Sequence, residues 1–183
     1  MNYHPKIIEF FKKHNMYDEE MFKYLQEHST MIDYNDEEQR PFIGCFYILD
    51  RLGRLQDISL FIPYVNGEET MLISIHEITH GIENYQKLGK KFIKDITIEA
   101  LPLLYEKIYI LENPTDKLIE YGKYLDNLIN EKCEKEYKFA LKIREVLLSN
   151  YHYDMHKMAK LTKKLAKKYP QKRHWYKFIS VFS

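Results

Sequence analysis

The stretch Met71-Leu-Ile-Ser-Ile-His-Glu-Ile-Thr-His80 carries the most informative pattern in this chain of 183 residues. On an α-helix each residue turns by about 100°, so His76 and His80 lie one above the other on the same face. Two imidazoles one turn apart can bind a single zinc ion, whose bonds to nitrogen are about 2.0–2.1 Å long. The stretch therefore predicts a helix with a metal-binding face.

The neighbours of the two histidines fit the same helix. Glu77 lies at the edge of the metal-binding face, where its carboxylate can contact a water at the metal rather than the metal itself. The opposite face carries four apolar residues, Met71, Ile75, Ile78 and Ile82. Such a face buries a helix against a core, so the two sides of this helix have different tasks.

A catalytic zinc ion takes three protein ligands and a water, so a third ligand is needed. A continuation with Gly and a third His is absent, because Glu83 and Gln86 occupy the positions three and six after His80. Glu83 and Glu99 are the leading candidates. Three ligands in a row along one straight helix cannot easily surround a metal tetrahedrally, whereas Glu99 comes from a second predicted helical segment and approaches from another side. We therefore favour Glu99 over Glu83.

Residues 73–112 also show a family pattern. His76-Glu77-Ile78-Thr79-His80 is followed by Glu99-Ala100-Leu101-Pro102 and then by Glu106. This order resembles the gluzincin metallopeptidases, most closely the group of thimet oligopeptidase and oligopeptidase F. The resemblance implies a compact zincin-like fold, Glu99 as the third zinc ligand, and Glu106, two helical turns later, as a residue that orients a histidine.

The same resemblance implies a zinc-dependent metallopeptidase that acts on short peptides. Zinc would polarise the scissile carbonyl, and Glu77 would take the proton of the attacking water and deliver it to the leaving amine. The chain has one extra residue before Pro102, a shorter interval between His80 and Glu99, and a far smaller size than those oligopeptidases. We therefore expect a minimal catalytic core with one zinc ion.

Peptide hydrolysis also needs a donor for the oxyanion of the tetrahedral intermediate, often a Tyr or a His. The densest group of such residues after the ligand segment is Tyr151-His-Tyr-Asp-Met-His156, from which we select Tyr153. His174-Trp-Tyr176 is a second candidate. Because the chain has 16 Tyr, structural roles for these residues are the simpler explanation.

The chain reads as one domain, residues 1–183, of α+β class and mostly α. Residues 1–41 form a helical N-terminal segment, with one or two helices over 5–28 and an exposed loop over 29–41. Residues 42–112 hold an antiparallel β-hairpin, 42–49 with 55–62, and the two zinc-site helices. The 55–62 strand packs beside the active-site helix, where it either aligns an extended peptide by β-augmentation or belongs to an ordinary hairpin that covers the core.

The helix boundaries are predicted from breakers and apolar periodicity. The active-site helix is expected to end near Gly89, and the next helix to cover about 92–111, where Pro102 causes a kink or marks a late start. The helical C-terminal segment, 115–183, is expected to hold a single long helix over 115–150 and an amphipathic helix over 152–168.

Composition and charge exclude several classes of protein. The net charge is +1, and Cys45 and Cys133 are too isolated in sequence to form a CxxC metal site. No apolar run is long enough for a membrane span and no signal peptide is visible, so a cytoplasmic location is the default expectation. Lysines in 157–173 fit one solvated helix face, so nucleic acid is an unlikely partner. The sequence indicates no oligomeric state.

Two other interpretations stay open. One is a catalytically inactive zincin-fold protein that binds or regulates through its basic C-terminal segment. Intact Glu77 argues against it, because a structural metal needs no base. The other is a helical interaction protein in which the motif arose by chance and binds no metal.

Overall fold

The computed structural model describes residues 2–92, 96–150 and 155–168. Within these ranges the chain is α+β and mostly α, as the sequence predicts. Its helices are α1 (Pro5–Lys13), α2 (Glu19–Glu27), α3 (Glu68–Tyr85), α4 (Ala100–Glu112), α5 (Asp116–Lys132), α6 (Lys135–Leu148) and α7 (Met155–Lys168). Its strands are β1 (Ser29–Ile32), β2 (Gly44–Leu49) and β3 (Leu55–Pro63), with a 3₁₀ turn at Arg40–Phe42.

The N-terminal segment forms two helices separated by a short break. Asn15 has a φ of 55°, a left-handed conformation that Asn tolerates better than most residues. Asp18 then caps α2, because its Oδ1 accepts a hydrogen bond of 2.8 Å from the backbone N–H of Met21. The predicted helical stretch over 5–28 is therefore two helices, divided at Asn15 and capped at Asp18.

The sheet has the strand order β1-β3-β2. The antiparallel pairing of β2 with β3 confirms the predicted hairpin. The prediction of a loop over 29–41 is wrong at its start, because Ser29–Ile32 pairs with β3 in parallel. The strand is held by side-chain bonds of Ser29, whose Oγ lies 2.7 Å from Tyr3 Oη and donates to the carbonyl of Leu25 at 2.6 Å. These contacts join segments far apart in sequence, which local patterns do not reveal.

The position of β3 corrects the expected site of β-augmentation. Both edges of β3 are already paired, one with β1 and one with β2, so residues 55–62 cannot receive an additional strand. Among the described residues, the outer edge of β2 is unpaired. An added peptide would therefore pair with β2.

Helix α3 packs on β3 at very short range. Ile58, Leu60 and Ile62 alternate along β3 and are fully buried. A Cβ built at Gly81 of α3 would lie 2.9 Å from Leu60 Cδ1 and 3.1 Å from Leu25 Cδ2. Glycine thus lets the helix approach the sheet, directly after His80. This contact sets the distance between the sheet and the helix face that carries His76 and His80.

The ends of the next helices differ from the predictions. Helix α3 ends at Tyr85, and hydrogen-bonded turns lead to Gly89, whose φ is 74° and whose N–H donates to Leu55. Helix α4 begins at Ala100 rather than near residue 92. Pro102 therefore lies in its first turn, where a backbone N–H has no intrahelical partner. Of the two predicted effects of Pro102, the late start is correct.

The prediction of a single helix over 115–150 is wrong. Cys133 and Glu134 are extended, with ψ of 165° and 169°, and separate α5 from α6. A straight helix over 116–148 would be about 50 Å long and could not bury both apolar faces against one small core. Ile129 of α5 and Phe139 of α6 are both buried in that core. Tertiary packing therefore ends the helix at a point where the sequence has no Gly or Pro.

Helix α7 confirms the predicted amphipathic pattern. Met158 and Thr162 are buried, whereas the lysines at 160, 163, 164, 167 and 168 are exposed. None of the described helices combines the length and the apolar character needed to cross a membrane.

We expect Leu60→Ala to lower the free energy of unfolding by about 2–5 kcal/mol, because it removes buried contacts to α3 and leaves a cavity. Urea denaturation measures the change. Leu52→Ala is the control, since Leu52 is 70% exposed and its truncation should change stability by less than about 0.5 kcal/mol. Equal effects of the two substitutions would contradict the packing described here.

Candidate metal centre

His76 and His80 lie on the same face of α3, one turn apart, and both are buried. Nearby polar side chains on the helix are satisfied within it, since Ser74 Oγ donates to the Thr70 carbonyl and Thr79 Oγ1 donates to the Ile75 carbonyl. These hydroxyls therefore do not compete for the two imidazoles. The rings are left facing the same space, with their centroids 4.9 Å apart.

Glu99 reaches this space from the start of α4. It follows a turn in which the N–H of Ala100 donates to the Thr97 carbonyl, and its own carbonyl accepts from Leu103. Buried Ala100 and Leu101 anchor the first turn of α4 in the core. The Glu99 side chain, itself 11% exposed, is thereby held against the two histidines.

The three side chains place one atom each at the corners of an almost equilateral triangle. Nε2 of His80 lies 3.2 Å from Nε2 of His76 and 3.2 Å from Oε2 of Glu99. Nε2 of His76 lies 3.2 Å from the same Glu99 oxygen. Ligand atoms bound tetrahedrally at about 2.0–2.1 Å from a metal are separated by about 3.3–3.4 Å. His76, His80 and Glu99 are therefore a buried group that could hold a metal ion.

Glu106 contacts the outer nitrogen of His76. Its Oε1 lies 2.7 Å from Nδ1 of His76, and Glu106 is located two turns after Glu99 along α4. When Nδ1 donates its proton to Glu106, the lone pair of Nε2 is directed to the triangle. Among the described residues, Nδ1 of His80 has no hydrogen-bond partner.

The charges around Glu99 and His76 determine the direction in which the pKa of each residue shifts. Burial disfavours ionisation of Glu99, but hydrogen bonds from His76 and His80 outweigh it and lower the pKa of Glu99. Burial likewise disfavours a charged His76, but Glu106 and then Glu99 outweigh it and raise the pKa of His76 well above its usual value. The carboxylates of the site attract positive charge. Protons on the histidines supply part of this charge, and a divalent cation can supply it instead.

The partly exposed Glu77 follows His76 directly on α3. Its charge acts on His76 and also on Cys45 and Tyr47 of β2. Glu77 is therefore close enough to both His76 and β2 for its charge to act on both. Glu83, the alternative third ligand, is partly exposed and is not a member of the triangle.

Sequence reasoning missed Tyr137 of α6. Its ring is nearly parallel to that of His76, with 9° between the planes and 6.4 Å between the centroids. Burial, followed by the charges of Glu99, Glu77 and Glu106, raises the pKa of Tyr137, so the phenol keeps its proton. No local motif marks this residue, because it reaches the site only through the packing of α6 on α4. The predicted Tyr153 and the segment 174–176 lie outside the described residues.

No protein-family model matches the chain, and neither the curated proteins nor the solved structures yielded a match to it.

We expect about one metal ion per chain in untagged wild-type protein, measured by plasma mass spectrometry. His76→Ala and Glu99→Gln should lose it, because each removes one corner of the triangle. Glu83→Gln is the matched control, since it neutralises a nearby carboxylate outside the triangle and should keep the metal. Loss of metal in Glu83→Gln but not in Glu99→Gln would contradict the ligand set.

Proposed function

We propose that the chain is a zinc-dependent metallopeptidase that hydrolyses peptide bonds, with short peptides as its substrates. One observation carries the proposal: the 3.2 Å triangle of His76, His80 and Glu99 has the spacing of a tetrahedral site and is adjacent to Glu77. Two imidazoles and one carboxylate form a donor set that zinc accepts with one position left open.

Zinc bound by this group would polarise the scissile carbonyl and lower the pKa of the attacking water. The chain's own residues supply the proton transfers. Glu77, which follows a ligand directly but is not a member of the triangle, accepts a proton from the water and later donates it to the leaving amine. Its partial exposure is consistent with contact to a substrate.

Tyr137 is the described residue best suited to donate a hydrogen bond to the oxyanion. Its phenol is neutral, and it lies beside His76, where the charge of the tetrahedral intermediate would develop. Tyr153 stays a second candidate for the same role. The two differ in support, because only Tyr137 has a described contact with a ligand residue.

The free edge of β2 is the proposed binding place for an extended peptide. β2 lies beside α3, since Nδ2 of Asn84 donates to Sγ of Cys45 at 3.8 Å. Along β2, Phe46 and Ile48 are 46% and 52% exposed and alternate with inward-facing Cys45 and Tyr47. An unpaired strand with exposed apolar side chains can pair with a peptide backbone and contact alternate side chains of that peptide.

Glu77→Gln should keep one zinc ion per chain and lose about 10²–10⁴-fold in peptidase kcat, because an amide cannot accept the proton. Turnover is measured on a fluorogenic peptide library, with metal content determined on the same samples. A metal-loaded wild type without peptidase activity would instead favour the catalytically inactive binding protein. An active enzyme that tolerates Glu77→Gln would contradict the role of Glu77.

Tyr137→Phe should lower kcat by about 10²–10³-fold with little change in KM, because the hydroxyl acts mainly in the transition state. Tyr64→Phe is the matched control, since Tyr64 is 58% exposed and has no role in the proposal. Tyr153→Phe is measured in parallel. A large loss in Tyr153→Phe with none in Tyr137→Phe would move the oxyanion role to Tyr153.

A further inference from the structure

Helix α6 carries a buried cation that the proposed reaction does not use. Arg144 is 8% exposed, and its two terminal nitrogens each donate to one carboxylate oxygen of Asp126 on α5 at 2.7 Å. Its Nε has no hydrogen-bond partner among the described residues. A buried guanidinium is costly to desolvate, so its presence here calls for a reason beyond the joining of two helices.

The surroundings of Arg144 include the carboxylate that contacts His76. Glu106, Asp126 and Arg144 line one small cavity between α4, α5 and α6. Burial opposes the charged form of Arg144, but the hydrogen bonds and charge of Asp126, and then the charges of Glu145 and Glu106, raise its pKa further. Arg144 therefore stays a cation in the neighbourhood of Glu106.

The spacing along α6 links Arg144 to the same site. Tyr137 and Arg144 are seven residues apart, so they lie on one helix face, two turns from each other. Ala140, between them, is fully buried and lets α6 approach closely. At one end of this face the ring of Tyr137 lies parallel to that of His76, and at the other end Arg144 lines the small cavity that Glu106 also lines.

We propose that Arg144 is a positioning residue for the metal centre: held by Asp126, it attracts the carboxylate of Glu106 across the cavity that both residues line, and so favours the orientation in which Glu106 holds the ring of His76. Asp126 offsets the charge of Arg144 at longer range, so the pair acts on the nearby carboxylate of Glu106 more than on a metal bound at the triangle. Its effect passes through the orientation of Glu106. The inference rests on the proposed metal centre and deepens it.

A double-mutant cycle tests whether Arg144 acts through Glu106. The dissociation constant for Zn²⁺ is measured by competition with a chromophoric chelator for the wild type, Arg144→Met, Glu106→Gln and the double variant. Loss of an outer partner of a ligating histidine typically weakens metal binding about 10–100-fold, and we expect that range for Glu106→Gln. Arg144→Met should weaken binding severalfold in the wild type and hardly at all in the Glu106→Gln background.

Two further variants separate positioning from charge and from folding. Arg144→Lys keeps the cation but not the bidentate hydrogen bonds to Asp126, so it should restore part of the affinity. Lys107→Met removes another cation that lines the same cavity but is partly exposed, and it should leave the affinity unchanged. If Arg144→Met alone does not fold, Asp126→Leu with Arg144→Met removes the pair as a unit and leaves no unpaired carboxylate. The same cycle is then run with that combination.

The outcomes distinguish this inference from the proposed function. Equal losses from Arg144→Met in both backgrounds, or no loss in a folded variant, would overturn the positioning role while wild-type zinc binding stood. Absence of zinc binding by the wild type would overturn the metal centre and, with it, the role of Arg144. In Co²⁺-loaded protein, a changed visible absorption band in Arg144→Met that Arg144→Lys restores would support the role, because that band reports ligand geometry.

Discussion

At Gly81 the backbone of α3 lies against the side chains of Leu60 and Leu25, with no room for a Cβ between them. The turn that carries His76 and His80 immediately precedes this point, so its distance from the sheet is set by the contact. Because the core below is closely packed, α3 cannot slide or roll to adjust its polar face. The other residues of the site are therefore positioned by elements that pack on α3 or on its neighbours.

The burial of the site makes its charges interdependent. Glu99 and Glu106 hold the two sides of the His76 ring, and neither carboxylate is more than slightly exposed. A buried carboxylate is tolerated only when it is paired. In the described structure the pairing is supplied by the imidazoles, which makes the histidines acceptors for protons when no metal is present and ligands when one is. The imidazole nitrogens that balance the charge of the carboxylates are thus the same atoms that would bind a metal.

The predictable part of the site is the part encoded by short spacings. His76 and His80 lie on one face because of the four-residue interval, and Glu99 and Glu106 share a face because of the seven-residue interval. The hairpin and the amphipathic α7 are local patterns of the same kind. By contrast, β1 depends on partners far away in sequence, and the break at Cys133 arises from the need to bury α5 and α6 on one core. The positions of Tyr137 and Arg144 cannot be predicted from local patterns for the same reason, because they follow from how α6 packs.

The three atoms of the triangle come from α3 and from the N-cap of α4, and this has a consequence for local motion. His80 and Glu99 are 19 positions apart, and the connection between α3 and α4 lies between them. An ion shared by both residues would close this stretch of chain into a ring, so that α4 could not separate from α3 without releasing the ion. Ligation would therefore restrict local opening of the connection and protect its peptide bonds from cleavage. An ion at the triangle would in this way shield the segment that carries Glu99.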